Sequence, residues 1–179
     1  MPITNLETSH GLVIIRQGTN ADVEQFRELR LDALEESPTA FPADYSAYVE
    51  HPRSFWENRL KSDEGGTIFL AEHEKQLIGI TGIRRGESSK TKHSATIWGV
   101  YVRPPWRGLR NADSLIETCI DWARLRDVNI VKLGVTAASQ SAISCYERCG
   151  FSISGTEPRG MYYEGKYYDG YFMVRLLED

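Results

Sequence analysis

Apolar and polar residues alternate along this 179-residue chain with two different periods, and each switch of period marks a change of element. Leu12-Val13-Ile14-Ile15 forms a compact β-type run, after which Thr19 or Asn20 stands as the cap of a helix that extends to about Glu36 and is stopped by Pro38. Within that helix Val23, Phe26, Leu29, Arg30, Ala33 and Leu34 recur three and four residues apart, which predicts that most of this face lies in the core. The segment from Thr39 to His51, with Pro42, Tyr45 and Tyr48, reads as a loop holding a short helix. Pro52 to Leu60 reads as another, carrying Phe55, Trp56 and Leu60.

The β period then takes over. Thr67 to Ala71 and Leu77 to Ile83 are two strands joined by a polar turn near Lys75, the signature of a hairpin. The polar stretch Gly86 to Lys92 leads into a third run, Thr96 to Val102. Ala112, Leu115, Ile116, Cys119, Ile120 and Ala123 predict an amphipathic helix to about Asp127. A strand over Asn129 to Thr136 and a helix from about Gln140 to Cys149 follow, with Gly150 as its stop. Phe151 to Thr156 and Tyr167 to Leu177 close the chain as β segments, with a turn at Glu164-Gly165 between them. This order predicts a single α/β domain over residues 1–179, built on a mixed sheet.

The chemistry concentrates where the third strand passes into its helix. Strand residues end at Pro104-Pro105, and a short loop with Arg103, Arg107 and Arg110 leads into the helix. The first amides of a helix have no internal acceptor and point outward at the positive end of its dipole. With three arginines beside them, they suit a phosphate and, better, a pyrophosphate. An ordinary strand-to-helix connection with solvated arginines would share the same local pattern.

Composition narrows the picture without adding a second site. With 41% hydrophobic and 26% charged residues the chain has the make-up of an ordinary globular protein. A net charge of −4 argues against a general nucleic-acid or membrane-surface role, and no apolar run approaches a membrane span. Cys119, Cys145 and Cys149 form no paired framework, and Met1-Pro2-Ile3-Thr4 shows no targeting signal, so a cytoplasmic protein with reduced thiols is expected. Cys145 and Cys149 share a helix face with no histidine nearby in sequence, which reads as core packing, and no metal is expected.

Val100-Tyr101-Val102-Arg103-Pro104 followed by Arg107-Gly108-Leu109-Arg110-Asn111-Ala112 resembles the acetyl-CoA motif of the GNAT superfamily of N-acetyltransferases, Gln/Arg-x-x-Gly-x-Gly/Ala. Val135-Thr136, Ala142-Ile143, Tyr146-Glu147 and Cys149-Gly150-Phe151 resemble its second hallmark, and Gly155 to Arg159 with Tyr167-Tyr168-Asp169 and Met173 is similar to a common GNAT ending. The resemblance implies a mostly antiparallel sheet flanked by helices, with two central strands splayed around the pantetheine arm of acetyl-CoA, the co-substrate. Val100, Tyr101 and Val102 would then meet that arm. The segment from Gly108 through Leu109, Arg110, Asn111 and Ala112 to Asp113 would offer amides to the pyrophosphate, headed by Arg107. Three positions depart from the family pattern: Arg110 replaces the middle glycine, Ser139 stands where many relatives have an asparagine that bonds the arm, and Thr96 where some keep a glutamate base. Ser139 could serve instead as a helix cap.

The resemblance also implies a direct attack by a primary amine of a small molecule, peptide or protein, with Tyr146 as the acid that serves the departing sulfur. An alkylamine is mostly ammonium at neutral pH and must lose a proton first, a role Thr96 cannot fill and for which His93 is a weak candidate. Early-helix and last-hairpin aromatics, namely Phe41, Tyr45, Tyr48, Phe55, Trp56, Tyr162, Tyr163, Tyr167, Tyr168 and Tyr171, either line an acceptor groove or pack as core and edge. Glu157 and Glu164 either attract a cationic acceptor or are solvated. Relatives often pair through sheet edges or exposed helices, so a homodimer is compatible with the resemblance. The rival to an enzyme is a GNAT-like module that binds an acyl-CoA and acts as a sensor.

Overall fold

The structure, a computed structural model, describes residues 4–177; Met1, Pro2 and Ile3, read above for a targeting signal, lie outside it. Its centre is an eight-stranded sheet of β1 (Thr4–Thr8), β2 (Gly11–Gln17), β3 (Gly66–His73), β4 (Gln76–Arg85), β5 (Ser94–Val102), β6 (Ile130–Thr136), β7 (Ser152–Tyr163) and β8 (Lys166–Leu176). Spatial order is β1-β2-β3-β4-β5-β6-β8-β7, and every neighbouring pair is antiparallel except β5–β6. The helices are α1 (Val23–Glu36), α2 (Tyr45–Val49), α3 (Arg53–Leu60), α4 (Asn111–Arg124) and α5 (Gln140–Arg148). Every element expected from the sequence is present. The addition is β1, whose single large apolar residue, Leu6, gives no run to recognise.

Side chains alternate across β3 and so fill two layers. Ile68 and Leu70 pack with Phe26, Leu29 and Leu34 of α1 and Trp56 and Leu60 of α3, while Phe69 and Ala71 face Leu115, Ile116 and Trp122 of α4 on the other side. Both faces are therefore covered and the middle strands are rigidly held.

That rigidity frames one defect. The parallel β5–β6 pair holds only over Ser94↔Ile130, Ala95↔Val131 and Thr96↔Lys132, after which the strands separate. The cause lies on the other edge of β5, where Ile80 pairs with Tyr101 and Gly82 with Trp98, so that Gly99 and Val100 together face Thr81. Such a bulge bends and twists its strand. Gly99 takes a φ of +67, a left-handed backbone that glycine adopts at no steric cost. Next to it on β5, Trp98 lays its ring over its partner Gly82, where a Cβ would stand 2.3 Å from ring carbon.

Candidate active site

Just beyond the splay, β5 runs through a short turn at Pro104–Trp106 into α4. Gly108 (φ +74) and Arg110 (φ +63) both adopt the left-handed region and fold the loop back on itself. Among the described residues the amides from Gly108 to Asp113 have no backbone acceptor, and the first bond of the helix is Ser114 N–H to Arg110 O at 3.0 Å. Asn111 is buried, and its Nδ2 holds the Trp106 carbonyl at 2.8 Å, fixing the loop from below. The result is a rigid nest of donors at a helix N-terminus.

The arginines divide differently from their expected joint role. Arg103 is 3.0 Å from Asp32 of α1, and Arg107 is 2.6 Å from Glu36 while its Nε donates to the Val102 carbonyl at 2.8 Å. Both therefore bolt the loop to α1, helped by the Tyr101 hydroxyl, which donates to Glu36 at 2.7 Å. Arg110, 72% exposed, is the one of the three that stays beside the amides, 3.5 Å from Asp113. A second cation at this end is Arg148 of α5, which no spacing in the sequence singles out. Its guanidinium meets the buried Asp113 carboxylate at 3.1 and 3.2 Å. Burial works to raise the Asp113 pKa, but the bonds from Arg148 and from the Cys145 thiol at 3.5 Å outweigh it and hold the carboxyl below its ordinary 3.8. The ligand atoms of Asp113, Cys145 and Cys149 lie within 4.8 Å of one another. Arg148 and Cys145, both of α5, bond the Asp113 carboxylate and so tie α4 to α5.

A cavity of about 460 Å³ opens between the end of β5, the nest and α5. Val100, Tyr101, Val102, Arg107, Gly108, Arg110, Asn111, Ala112 and Asp113 line it; Leu109 and Ser139 do not. A second cavity, about 340 Å³, lies among the separated strand ends, the loop after α1 and the β7–β8 hairpin. Thr96, Trp98, Gly99, Ser139, Glu157, Asp169 and Tyr171 are among its walls. Ser139 stands at the N-cap position of α5, but its hydroxyl makes no capping bond, which corrects the helix-cap alternative.

Val100, Ala142 and Tyr146 belong to both cavities. Tyr146 is 8% exposed, its ring edge-on to Phe151 at 6.2 Å, and among the described residues its hydroxyl has no hydrogen-bond partner. Burial, and then the neighbouring Cys145 and Cys149, push its pKa up, so it remains a neutral phenol throughout the working range.

The expected aromatics split. Phe41, Tyr168 and Tyr171 reach the second cavity, whereas Trp56 is fully buried and Tyr162 and Tyr167 pair with each other at 4.9 Å on the exposed hairpin. Tyr48 and Phe55 pack edge-on at 5.7 Å between α2 and α3. His93 is exposed and lines neither cavity. Trp98 and Asp169 are cavity residues that the sequence reading did not single out as site residues; a strand tryptophan and a hairpin aspartate carry no spacing signal.

A donor nest, a splayed strand pair and a buried tyrosine between two cavities thus lie side by side. The sequence model of the acetyltransferase (GNAT) family matches residues 24–151. The chain belongs to that family, and it is an acetyl-CoA-dependent N-acetyltransferase. It is 28% identical over 171 residues to the L-amino acid N-acetyltransferase AaaT of Escherichia coli K12, covering 92% of this chain and 98% of that one. A GNAT-family acetyltransferase from Streptococcus pneumoniae superposes with a TM-score of 0.83 at 22% identity, covering 92% of this chain and 99% of the other. The yncA structure from Salmonella typhimurium, solved with its cofactor acetyl-CoA, gives 0.76 at 19% identity, covering 100% and 96%. Among the described residues no helix is long and apolar enough to cross a membrane.

Proposed function

We propose that residues 1–179 act as one transferase domain that moves the acetyl group of acetyl-CoA to a primary amine by direct attack in a ternary complex. The observation that carries this reading is the position of Tyr146, which with Val100 and Ala142 lines both the nest-side and the hairpin-side cavity and alone of the three carries an ionisable group. The amides of Gly108 to Asp113 take the pyrophosphate, and the free edge at Val100, Tyr101 and Val102 pairs with the pantetheine arm. The acceptor enters from the hairpin side, where Glu157 and Asp169 attract its ammonium form.

The amine loses one proton to water before attack. Its nitrogen then bonds to the thioester carbon, the carbonyl oxygen gains charge beside the exposed amides of the strand edge, and the carbon–sulfur bond breaks. A phenol whose pKa lies above 10 does not give its proton outright to a thiolate whose ordinary pKa is near 8.5. Tyr146 therefore donates a hydrogen bond to the sulfur as charge builds, and relays the second proton of the attacking nitrogen to it. The products are the N-acetylated amine and the free coenzyme thiol. Three free, buried cysteines fit a reducing cytoplasm, and the exposed Phe172 and Leu176, which share one face of β8, offer the face through which two copies would pair.

Thiol release in an amine panel tests the scheme. Tyr146→Phe is expected to lower kcat about 100-fold or more, the usual weight of a positioned proton donor, with acetyl-CoA affinity unchanged. Unchanged turnover in that variant removes Tyr146 from the reaction. Failure of acetyl-CoA to raise the melting temperature of the wild type removes the transferase reading itself, since a ligand at about 100 times its Kd adds roughly 2.7 kcal/mol.

A further inference from the structure

Arg30 lies on the buried face of α1 among Phe26, Leu29, Ala33 and Leu34, yet it carries a charge. It is 4% exposed, its Nε and Nη1 are sealed from water without an acceptor, and among the described residues no carboxylate lies within ion-pair reach of it. Three acids of its own helix serve other arginines: Glu24 pairs with Arg53, Asp32 with Arg103 and Glu36 with Arg107. Burial pushes the Arg30 pKa down to about 10, with Tyr48 pulling upward and the Arg59 charge adding to the fall, so the side chain is still a cation at neutral pH. Its guanidinium stacks on the Phe41 ring at 4.6 Å. A buried cation without an anion costs free energy, and α1 bears that cost next to the site.

The wall in front of Arg30 belongs to the hairpin-side cavity, which Phe41 and Gly99 both line. A Cβ built on Gly99 would stand 3.6 Å from Arg30 Nη1 and, chain neighbours aside, within 4 Å of no other heavy atom among the described residues. The glycine therefore leaves a space over β5 that is bounded by that nitrogen. An oxygen seated there needs to come only a few tenths of an ångström closer to accept a hydrogen bond, and at this separation in a dry interior two opposite charges attract strongly even without one. Another wall of the same cavity, on the β7–β8 hairpin, holds Glu157 and Asp169. Carboxylates on one wall and an unpaired guanidinium behind another give the cavity two poles.

We propose that Arg30 selects the acceptor: the preferred substrate is an amine that also carries a carboxylate, which settles over Gly99 in front of the Arg30 guanidinium while the ammonium group lies toward Glu157 and Asp169. This rests on the amine-transfer reading and names its substrate class. Arg30 acts as a specificity determinant and touches no reacting atom. An acceptor without an acid group leaves the guanidinium unpaired and binds more weakly.

Glycine, 3-aminopropanoate, 4-aminobutyrate and 5-aminopentanoate, each beside its own amide, are titrated calorimetrically onto the full chain with coenzyme A present. At about pH 6.5 the amine of acid and amide alike is an ammonium ion, so the pairs differ in the carboxylate alone. At one spacing or more the acid is expected to bind at least 10-fold tighter than its amide, and that spacing measures the separation of the two poles. Arg30→Met keeps the length of the side chain and removes an unpaired buried charge, so it is expected to hold or raise the melting temperature while erasing the preference, a pairing that a merely structural arginine would not give. Arg30→Lys keeps the charge and is expected to keep part of the preference, which decides the matter should the methionine variant fail to fold. Equal binding of acid and amide at every spacing, a preference that survives in Arg30→Met, or a folded Arg30→Lys with none each overturns the proposal. Thiol release is read separately: an acid preference without thiol release condemns the transfer reading and leaves the Arg30 seat standing, and thiol release without an acid preference does the reverse.

Discussion

Arg110 offers a measurement in which most terms cancel. Its backbone is left-handed, at φ 63 and ψ 13, where a Cβ costs about 1–2 kcal/mol. Arg110→Gly removes that cost and Arg110→Ala keeps it, while both lose the same exposed contact with Asp113, worth about 0.2–1 kcal/mol. Glycine gives back roughly 0.4–1 kcal/mol through the greater freedom of the unfolded chain. The glycine variant is therefore expected to be more stable than the alanine variant by about 0.5–1 kcal/mol, or about 1–4 °C in Tm for a chain of this size. Calorimetric melts in one buffer read the difference. An alanine variant that melts with or above the glycine variant refutes the strain. The same pair tests what holds the pyrophosphate: if backbone amides carry the binding, Arg110→Gly keeps acetyl-CoA affinity within about tenfold, 1.4 kcal/mol, with a weaker dependence on salt. Loss of binding would instead make the side-chain charge the anchor.

Gly82→Ala drives a methyl into the Trp98 ring and is expected to cost about 1–3 kcal/mol, read as a lower urea midpoint; an unchanged midpoint denies the close approach. The Asp113 carboxyl titrates below its ordinary 3.8 in the folded chain, so its stabilisation is complete above that pH and is lost as pH falls through the lower folded value. Arg148→Gln raises the folded pKa toward or past the ordinary one, so acid unfolding is expected to begin at higher pH, and an unmoved acid limb of the urea midpoint refutes the pairing. Cys119, Cys145 and Cys149 are buried, so Ellman's reagent is expected to label them slowly in the native protein and fully after unfolding; rapid native labelling contradicts their burial.

The sequence made the fold legible wherever a period was long enough to count. The hairpin of β3 and β4 and the Tyr146 helix fall within a residue or two of their expected bounds, while α4, with its apolar stripe, ends at Arg124, three residues short of the expected Asp127. What it could not show are pairs that meet only after the chain has folded. Arg107 and Arg103 resemble phosphate ligands by neighbourhood, yet α1 presents Glu36 and Asp32 to them, residues some seventy positions earlier. Arg148 reaches Asp113 across two helices, and Arg30, written into the helical stripe as a core position, becomes a buried cation beside Arg59. Periodicity reports which face a residue occupies and is silent about what stands opposite.

The site exists because one strand pair is left unfinished. Beyond Thr96 and Lys132 the facing edges of β5 and β6 no longer share a ladder, while β4 still holds β5 at Tyr101 and Val102, and β8 still holds β6 as far as Thr136. The opening therefore cannot close by either strand drifting, since each is fastened on its other side and backed by a packed helical layer. Backbone donors and acceptors left on those edges need partners from outside the sheet, and an extended arm with amides of its own supplies them in the same β geometry. Gly99, by bending β5 away at this point, opens the strand edge toward α5, so that Val100 and Tyr146 wall the same cavity, where the proposed reaction would place the coenzyme's thioester end.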